Sequence, residues 1–287
     1  MAEAKLGVIG GSGLYQIEGL TDVKEVRVKT PFGDPSDVIT IGSLKGTTIA
    51  FLPRHGRGHR ISPTELPSRA NIYAFKSLGV ERIISVSAVG SLKEHIKPMD
   101  IVIPDQIIDR TRNRVNSFFG GGIVGHIAFA EPFCPVLRDI VYQSARKTGA
   151  RVHDGGTCVV MEGPQFSTRA ESELYRSWGA DIIYMTVSPE AKLAREAEIC
   201  YATIAIVTDY DCWNEKAESV TTEMILTNLH NSINTAKKII ELAAGHLPQR
   251  RDCACATALQ NAIATSPELI PEKVKKDLHL LIGKYLK

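Results

Sequence analysis

Eight short, almost unbroken apolar runs rich in Val and Ile mark this chain: KLGVIGG, DVITIG, TTIAFLP, RIISVSA, DIVIPD, GTCVVM, DIIYMT and YATIAIVT. Continuous rather than alternating hydrophobicity belongs to strands covered on both faces, so helices must lie above and below the sheet. The class is therefore α/β. Between Val23 and Pro53 strand follows strand, with TPFGDPSD as a turn and no room for a helix, which predicts a mixed sheet with hairpins. Helix starts are expected at Ser62, where SPTE offers a cap, a proline and a capping-box glutamate, with Gly79 as the stop. A second capping box joins Thr168 to Glu171, and SPE opens another helix at Ser188. A long helix is expected from Val220 to Ala244, with Ile225, Leu229, Ile233, Ile239 and Ile240 near helical spacing and Gly245 after it. The expected architecture is a single domain with a central mixed β-sheet flanked by helices. It occupies residues 1–245, with 246–287 as a connector and helical tail of the same unit.

Composition narrows the partners. Lys plus Arg is 34 against 32 Asp plus Glu, so the net charge of +2 provides no basic field for nucleic acid. No run approaches the length of a membrane span and the start, MAEAKLGVIGGSG, has no signal-peptide pattern, so no membrane partner and a cytoplasmic location are expected. Four of the six cysteines, Cys134, Cys158, Cys200 and Cys212, sit among apolar neighbours as packing residues do. Cys253 and Cys255 form a C-x-C pair that could close only a small strained ring, so free thiols are expected ahead of a disulfide.

The polar residues of interest each follow a strand. GVIGGSGLY lacks the spacing of a dinucleotide fingerprint and no Walker loop occurs, leaving a turn whose N–H groups and Ser12 hydroxyl could wrap an anion. PRHGRGH brings Arg54, His55, Arg57 and His59. Its glycines argue against a helix presenting both histidines to zinc, whereas an arginine fork suits phosphate. SVSAVGS offers Ser87, Ala88 and small neighbours, MEGPQFSTRAES offers Glu162, Phe166 and Ser167, and IIYMT ends in Met185 and Thr186. Taken singly, PRHGRGH reads more readily as a solvated basic loop, SVSAVGS equally well as a strand-to-loop transition, and Phe166 and Met185 more readily as core residues. Together they fit the rule that ligands of open α/β sheets lie beyond the carboxyl ends of strands.

TDYDCW adds Asp209 and Asp211, which in an extended chain would point the same way. Anion donors, a flat apolar wall and two acids suit phosphorolysis of a purine nucleoside, with an acid donating a proton to the leaving base. Desolvation and the like-charged neighbour would both keep that acid protonated.

PRHGR, EGPQFSTRAES and TDYDCW together resemble the 5′-methylthioadenosine phosphorylases of the trimeric purine nucleoside phosphorylase type, over about residues 5 to 244. The resemblance implies conversion of 5′-methylthioadenosine and phosphate to adenine and 5-methylthioribose 1-phosphate, a pentosyl transfer of purine and methionine salvage. The alternative is a broader purine nucleoside phosphorylase accepting adenosine or 6-oxopurine nucleosides. It implies phosphate at Ser12, Arg54, His55, Ser87, Ala88 and Thr186, and ribose against Met185. Phe166 and Ser167 would line the base pocket, and Asp209 and Asp211 would meet N7 and the 6-amino group, Asp209 as proton donor. His59, Val220, Ile225, Leu226 and, from a neighbouring subunit, His126 would surround the 5′ end, with Thr222 as a polar departure. It implies a homo-oligomer, trimer or dimer of trimers, small-molecule nucleoside and phosphate as substrates, and no metal or organic cofactor.

Overall fold

The computed structural model describes residues 4–11, 14, 17–214 and 221–286. Among them eleven strands form one mixed sheet. Strand β5 (Arg82–Ser91) is its hub, and every residue from Arg82 to Val86 is buried, as its apolar run requires. The parallel strand β1 (Leu6–Gly10) lines one edge of its first half, with Ile9 opposite Ser85. The other edge carries β11 (Cys200–Asp209), parallel and buried along its whole length. The end of β5 pairs antiparallel with β10 (Ile182–Tyr184).

The early region forms the expected antiparallel set: β2 (Thr21–Val26), β3 (Ile39–Leu44) and β4 (Thr47–Pro53). β4 then runs parallel to β1, Gly10 opposite Pro53. Four strands, β1, β4, β5 and β11, therefore deliver their carboxyl ends to one side of the sheet. Two further short strands, β7 (Gln106–Asp109) and β8 (Val152–Asp154), lie outside the expected runs.

The first predicted helix start is corrected. The Ser62 hydroxyl does reach Glu65 Oε2 at 2.6 Å, but it closes only a turn. Pro67 ends that turn because it has no N–H for the next helical bond, and α1 runs Ser68–Ser77 instead. Gly79, at φ +83°, stops it as expected. The box at Thr168 forms in full and opens α3 (Arg169–Ser177). α4 (Val187–Glu196) includes Ser188 in an extended conformation, so its regular turns begin after that residue. The long helix is α5 (Thr222–Ala244), capped by Thr221, whose hydroxyl accepts from the Met224 N–H. An unannounced α2 (Pro135–Arg146) buries Leu137, Val141 and Ala145 against the sheet.

Apolar packing divides mainly into two large clusters, one on each side of the sheet. Leu259, Ile270, Leu278, Leu281 and Ile282 of the tail join the same cluster as Ile9, Ile72 and Val207. No described helix is long and apolar enough to cross a membrane.

Candidate active site

A cavity of about 570 Å³ opens where the strand ends meet. Gly11 follows β1, Arg54 and His55 follow β4, Val86 to Gly90 belong to β5, Met185 and Thr186 follow β10, and Thr208, Asp209 and Asp211 come from the end of β11. Helix α5 closes one wall with Ile225, Leu226, Leu229 and Ile233. Its Asn228 side chain donates to the Thr208 carbonyl at 2.7 Å, tying the helix to the strand end.

At one end of the cavity lies a buried ion pair. Arg54 is only 2% exposed and meets Glu190 of α4 on both oxygens, Nε to Oε1 at 2.5 Å and Nη2 to Oε2 at 3.1 Å. Its Nη1 donates to the Val86 carbonyl at 3.0 Å, and the Tyr201 hydroxyl donates to Glu190 Oε2 at 2.8 Å. A guanidinium has five N–H groups, so one on each terminal nitrogen remains for an anion. The expected free arginine fork is thus half engaged. Its charge is already balanced, and what it offers phosphate is fixed geometry rather than a surplus cation.

Beside it, the Ser87 and Thr186 hydroxyls stand 3.3 Å apart. His55 donates from Nδ1 to the Ile61 carbonyl at 2.8 Å, and its ring stacks on His59 with centroids 4.3 Å apart. Burial first, then the Arg54 guanidinium, hold its pKa down to about 4. The ring is neutral near pH 7, and its Nε2 is left as an acceptor for a phosphate P–O–H.

At the other end Asp209 and Asp211 are each 6% exposed. Both lie on the cavity, but not by strand alternation as the sequence suggested. The chain leaves β11 at Asp209, and Asp211 takes φ +53° in a turn, its N–H donating to Asp209 Oδ1 at 2.7 Å. The loop is latched by Trp213, whose indole N–H donates to the Ser91 carbonyl at 2.7 Å under the Arg176 guanidinium. Gly90 makes the seat possible: a Cβ there would stand 2.9 Å from Asp209 Oδ1 and 2.9 Å from Ile183.

Burial raises the Asp209 pKa above the ordinary carboxylate range, against hydrogen bonds from the Thr208 hydroxyl and the Asp211 N–H. The charge of Asp211 adds to the rise but is the smallest contributor, so desolvation rather than the neighbouring acid does most of the work. Thr208 fits a protonated partner, because its one proton has a second acceptor in the Val89 carbonyl at 3.2 Å while its oxygen stands 2.8 Å from Asp209 Oδ2. Burial also raises Asp211, with the Ser172 and Ser167 hydroxyls acting against it.

Most of the residues singled out in the sequence meet here: Arg54, His55, His59, Ser87, Ala88, Phe166, Met185, Thr186, Asp209, Asp211 and Ile225. Ser167 stands behind Asp211 rather than on the cavity wall. His126 does not reach the wall; it is exposed, and its N–H donates to the Ala262 carbonyl of the tail. Thr222 opens α5 on the exposed side and is not among the lining residues either. Ser12 and Val220 lie outside the described residues, although Gly11 beside Ser12 lines the cavity.

Glu162, which the sequence set beside the site, instead organises loops: it accepts from Thr64 at 2.6 Å, from the Arg112 N–H at 2.6 Å and from Arg114 at 3.2 Å. Glu190, Tyr201 and His230 went unnoticed. Glu190 carried only the signal of an acid in the first turn of a helix, and nothing in sequence links it to Arg54 across 136 positions.

The pattern of the phosphorylase superfamily matches residues 5–244. An S-methyl-5′-thioadenosine phosphorylase of Koribacter versatilis is 55% identical over 283 residues, covering 99% of this chain and 97% of its own. One from Geobacter sulfurreducens is 56% identical over 285 residues, covering 99% of this chain and 100% of its own. A crystal structure of methylthioadenosine phosphorylase from an antarctic soil metagenomic library superposes with a TM-score of 0.94 at 48% identity, covering 98% and 99% of the two chains. The chain belongs to the phosphorylase superfamily and, within it, to the S-methyl-5′-thioadenosine phosphorylases.

Proposed function

We propose that this chain catalyses phosphorolysis of 5′-methylthioadenosine, releasing adenine and 5-methylthioribose 1-phosphate. The carrying observation is the pairing, across one cavity, of a buried acid with a raised pKa and a charge-balanced arginine among hydroxyl donors. Phosphate sits at Arg54, His55, Ser87, Ala88 and Thr186, and the resemblance adds Ser12 to that set. The ribose lies against Met185, and the base stacks by Phe166.

A phosphate oxygen bonds to C1′ as the C1′–N9 bond breaks and its electron pair passes to the purine. Asp209 gives its proton to N7, so the base leaves neutral, and the carboxylate regains a proton from solvent after release. The sugar carries positive charge midway, which the phosphate oxygens offset, and positioning supplies much of the rest. Asp211 accepts from the 6-amino group, which favours adenine over a 6-oxopurine. The apolar row Ile225, Leu226, Leu229 and Ile233 favours a thioether at the 5′ end. A second reading, use of adenosine as well, rests on His230, which also lines that wall and could meet a 5′-hydroxyl.

The reaction so written needs no metal or organic cofactor. The protein would work as a cytoplasmic homo-oligomer, trimer or dimer of trimers, with His126 of each subunit turned to its neighbour's 5′ pocket. Adenine release from 5′-methylthioadenosine, followed with and without phosphate, tests the activity. Release must depend on phosphate; equal release in its absence would make the protein a nucleosidase, and no release would refute the reading.

A further inference from the structure

The four cysteines Cys134, Cys200, Cys253 and Cys255 come from three separate segments, yet their sulfur atoms all lie within 4.8 Å of one another. Cys134 precedes α2, Cys200 opens β11, and the C-x-C pair flanks the start of a 3₁₀ turn, Ala254–Thr257, in the connector after α5. Three of them are buried and Cys253 is partly so. We infer that these four thiolates form a closed, structural site for one thiophilic cation, zinc in the first instance, which fastens the connector to the sheet.

Geometry and donor chemistry carry this. A tetrahedral zinc with bonds of about 2.3 Å places its sulfurs about 3.8 Å apart. The Cys200–Cys253 pair at 3.3 Å would open slightly and the wider pairs would close, movements within reach of side-chain rotation. The donor set is all sulfur, without a carboxylate or imidazole, which selects zinc and excludes hard ions such as magnesium or calcium. Cys134 also sits at the amino end of a 12-residue helix, where the dipole favours a thiolate.

Mere packing accounts less well for the cluster. Cys158 shows what packing alone looks like in this protein: one buried thiol on the Gln106 carbonyl, with no other cysteine in the group. The connector, moreover, has little regular structure of its own beyond a four-residue turn, and Arg82 already clasps it through the Pro248 and Arg250 carbonyls. None of the four cysteines lines the cavity, so the ion would take no part in the reaction.

The test uses intact protein purified without chelator. Native mass spectrometry and elemental analysis should find one zinc per chain, released in step as a mercurial blocks the thiols. Refolding with Co²⁺ alone should give the charge-transfer absorption of a tetrahedral cobalt thiolate. Cys253→Ser should leave zinc well below one per chain, while Cys212→Ser, outside the cluster, should leave it unchanged. Four titratable thiols in metal-free protein that takes up neither Zn²⁺ nor Co²⁺ would overturn the inference. So would metal-free protein lighter by two hydrogens for each disulfide formed among these cysteines.

Discussion

The two ends of the cavity each bury an acid, and they treat it in opposite ways. Glu190 has Arg54 on both of its oxygens and a tyrosine hydroxyl besides. Among the described residues Asp209 meets the Thr208 hydroxyl and the Asp211 N–H but no cation, and burial pushes its pKa up. The same chemical group is thus half of an ion pair at the phosphate end and an acid with a raised pKa at the base end. What decides between them is the partner, not the depth.

The largest expected break in this contrast is Asp209→Asn, which keeps the shape and removes the acid. We expect kcat to fall by about 10²- to 10⁴-fold. Stability should hold or rise, since a buried carboxyl without a counter-charge among the described residues is gone. A variant with normal turnover would end the proton-donor role. Glu190→Ala should do the reverse, leaving Arg54 buried without its counter-charge. A cost of about 3–5 kcal/mol in denaturant unfolding is expected, and an unchanged midpoint would mean that the pair is not what holds Arg54. Arg54→Ala, for the same reason, reports the ion pair as well as the affinity for phosphate.

Gly90→Ala sharpens the base end. The new Cβ would crowd Asp209 Oδ1 at 2.9 Å, so the carboxyl must shift while the fold survives. A loss of about 100-fold in kcat is in line with such a displacement, and a neutral outcome would show that the seat is not tight.

The smallest effect is a slope with pH. His55 is held near pKa 4 in the folded chain and returns to about 6.5 when unfolded. The unfolded chain therefore binds the extra proton, and stability is lost as pH falls from about 6.5 towards 4, by about 2 kcal/mol once partial exposure is discounted. The raised Asp209 has the opposite sign: its contribution is present at low pH and lost as pH rises through the folded value. His55→Gln should flatten the first slope alone, measured as the urea midpoint across pH.

Much of this was legible in sequence because it is local. The continuous apolar runs gave the strands, the early strand-after-strand pattern gave the hairpins, and Thr168 with Glu171 marked a helix start that forms as read. The failures are where distant residues or later punctuation intervene. Pro67 overrode the Ser62 motif and Asp211 left the strand for a turn. Glu190 found Arg54 from the far side of the sequence.

The proton-donor role requires that Asp209 hold its proton where an ordinary aspartate has lost it. An infrared titration, taken as the difference between wild type and Asp209→Asn, follows that one carboxyl directly. We expect an acid-form C=O band that persists above about pH 3.9, the ordinary aspartate value. A band already replaced by carboxylate at or below that pH would contradict it.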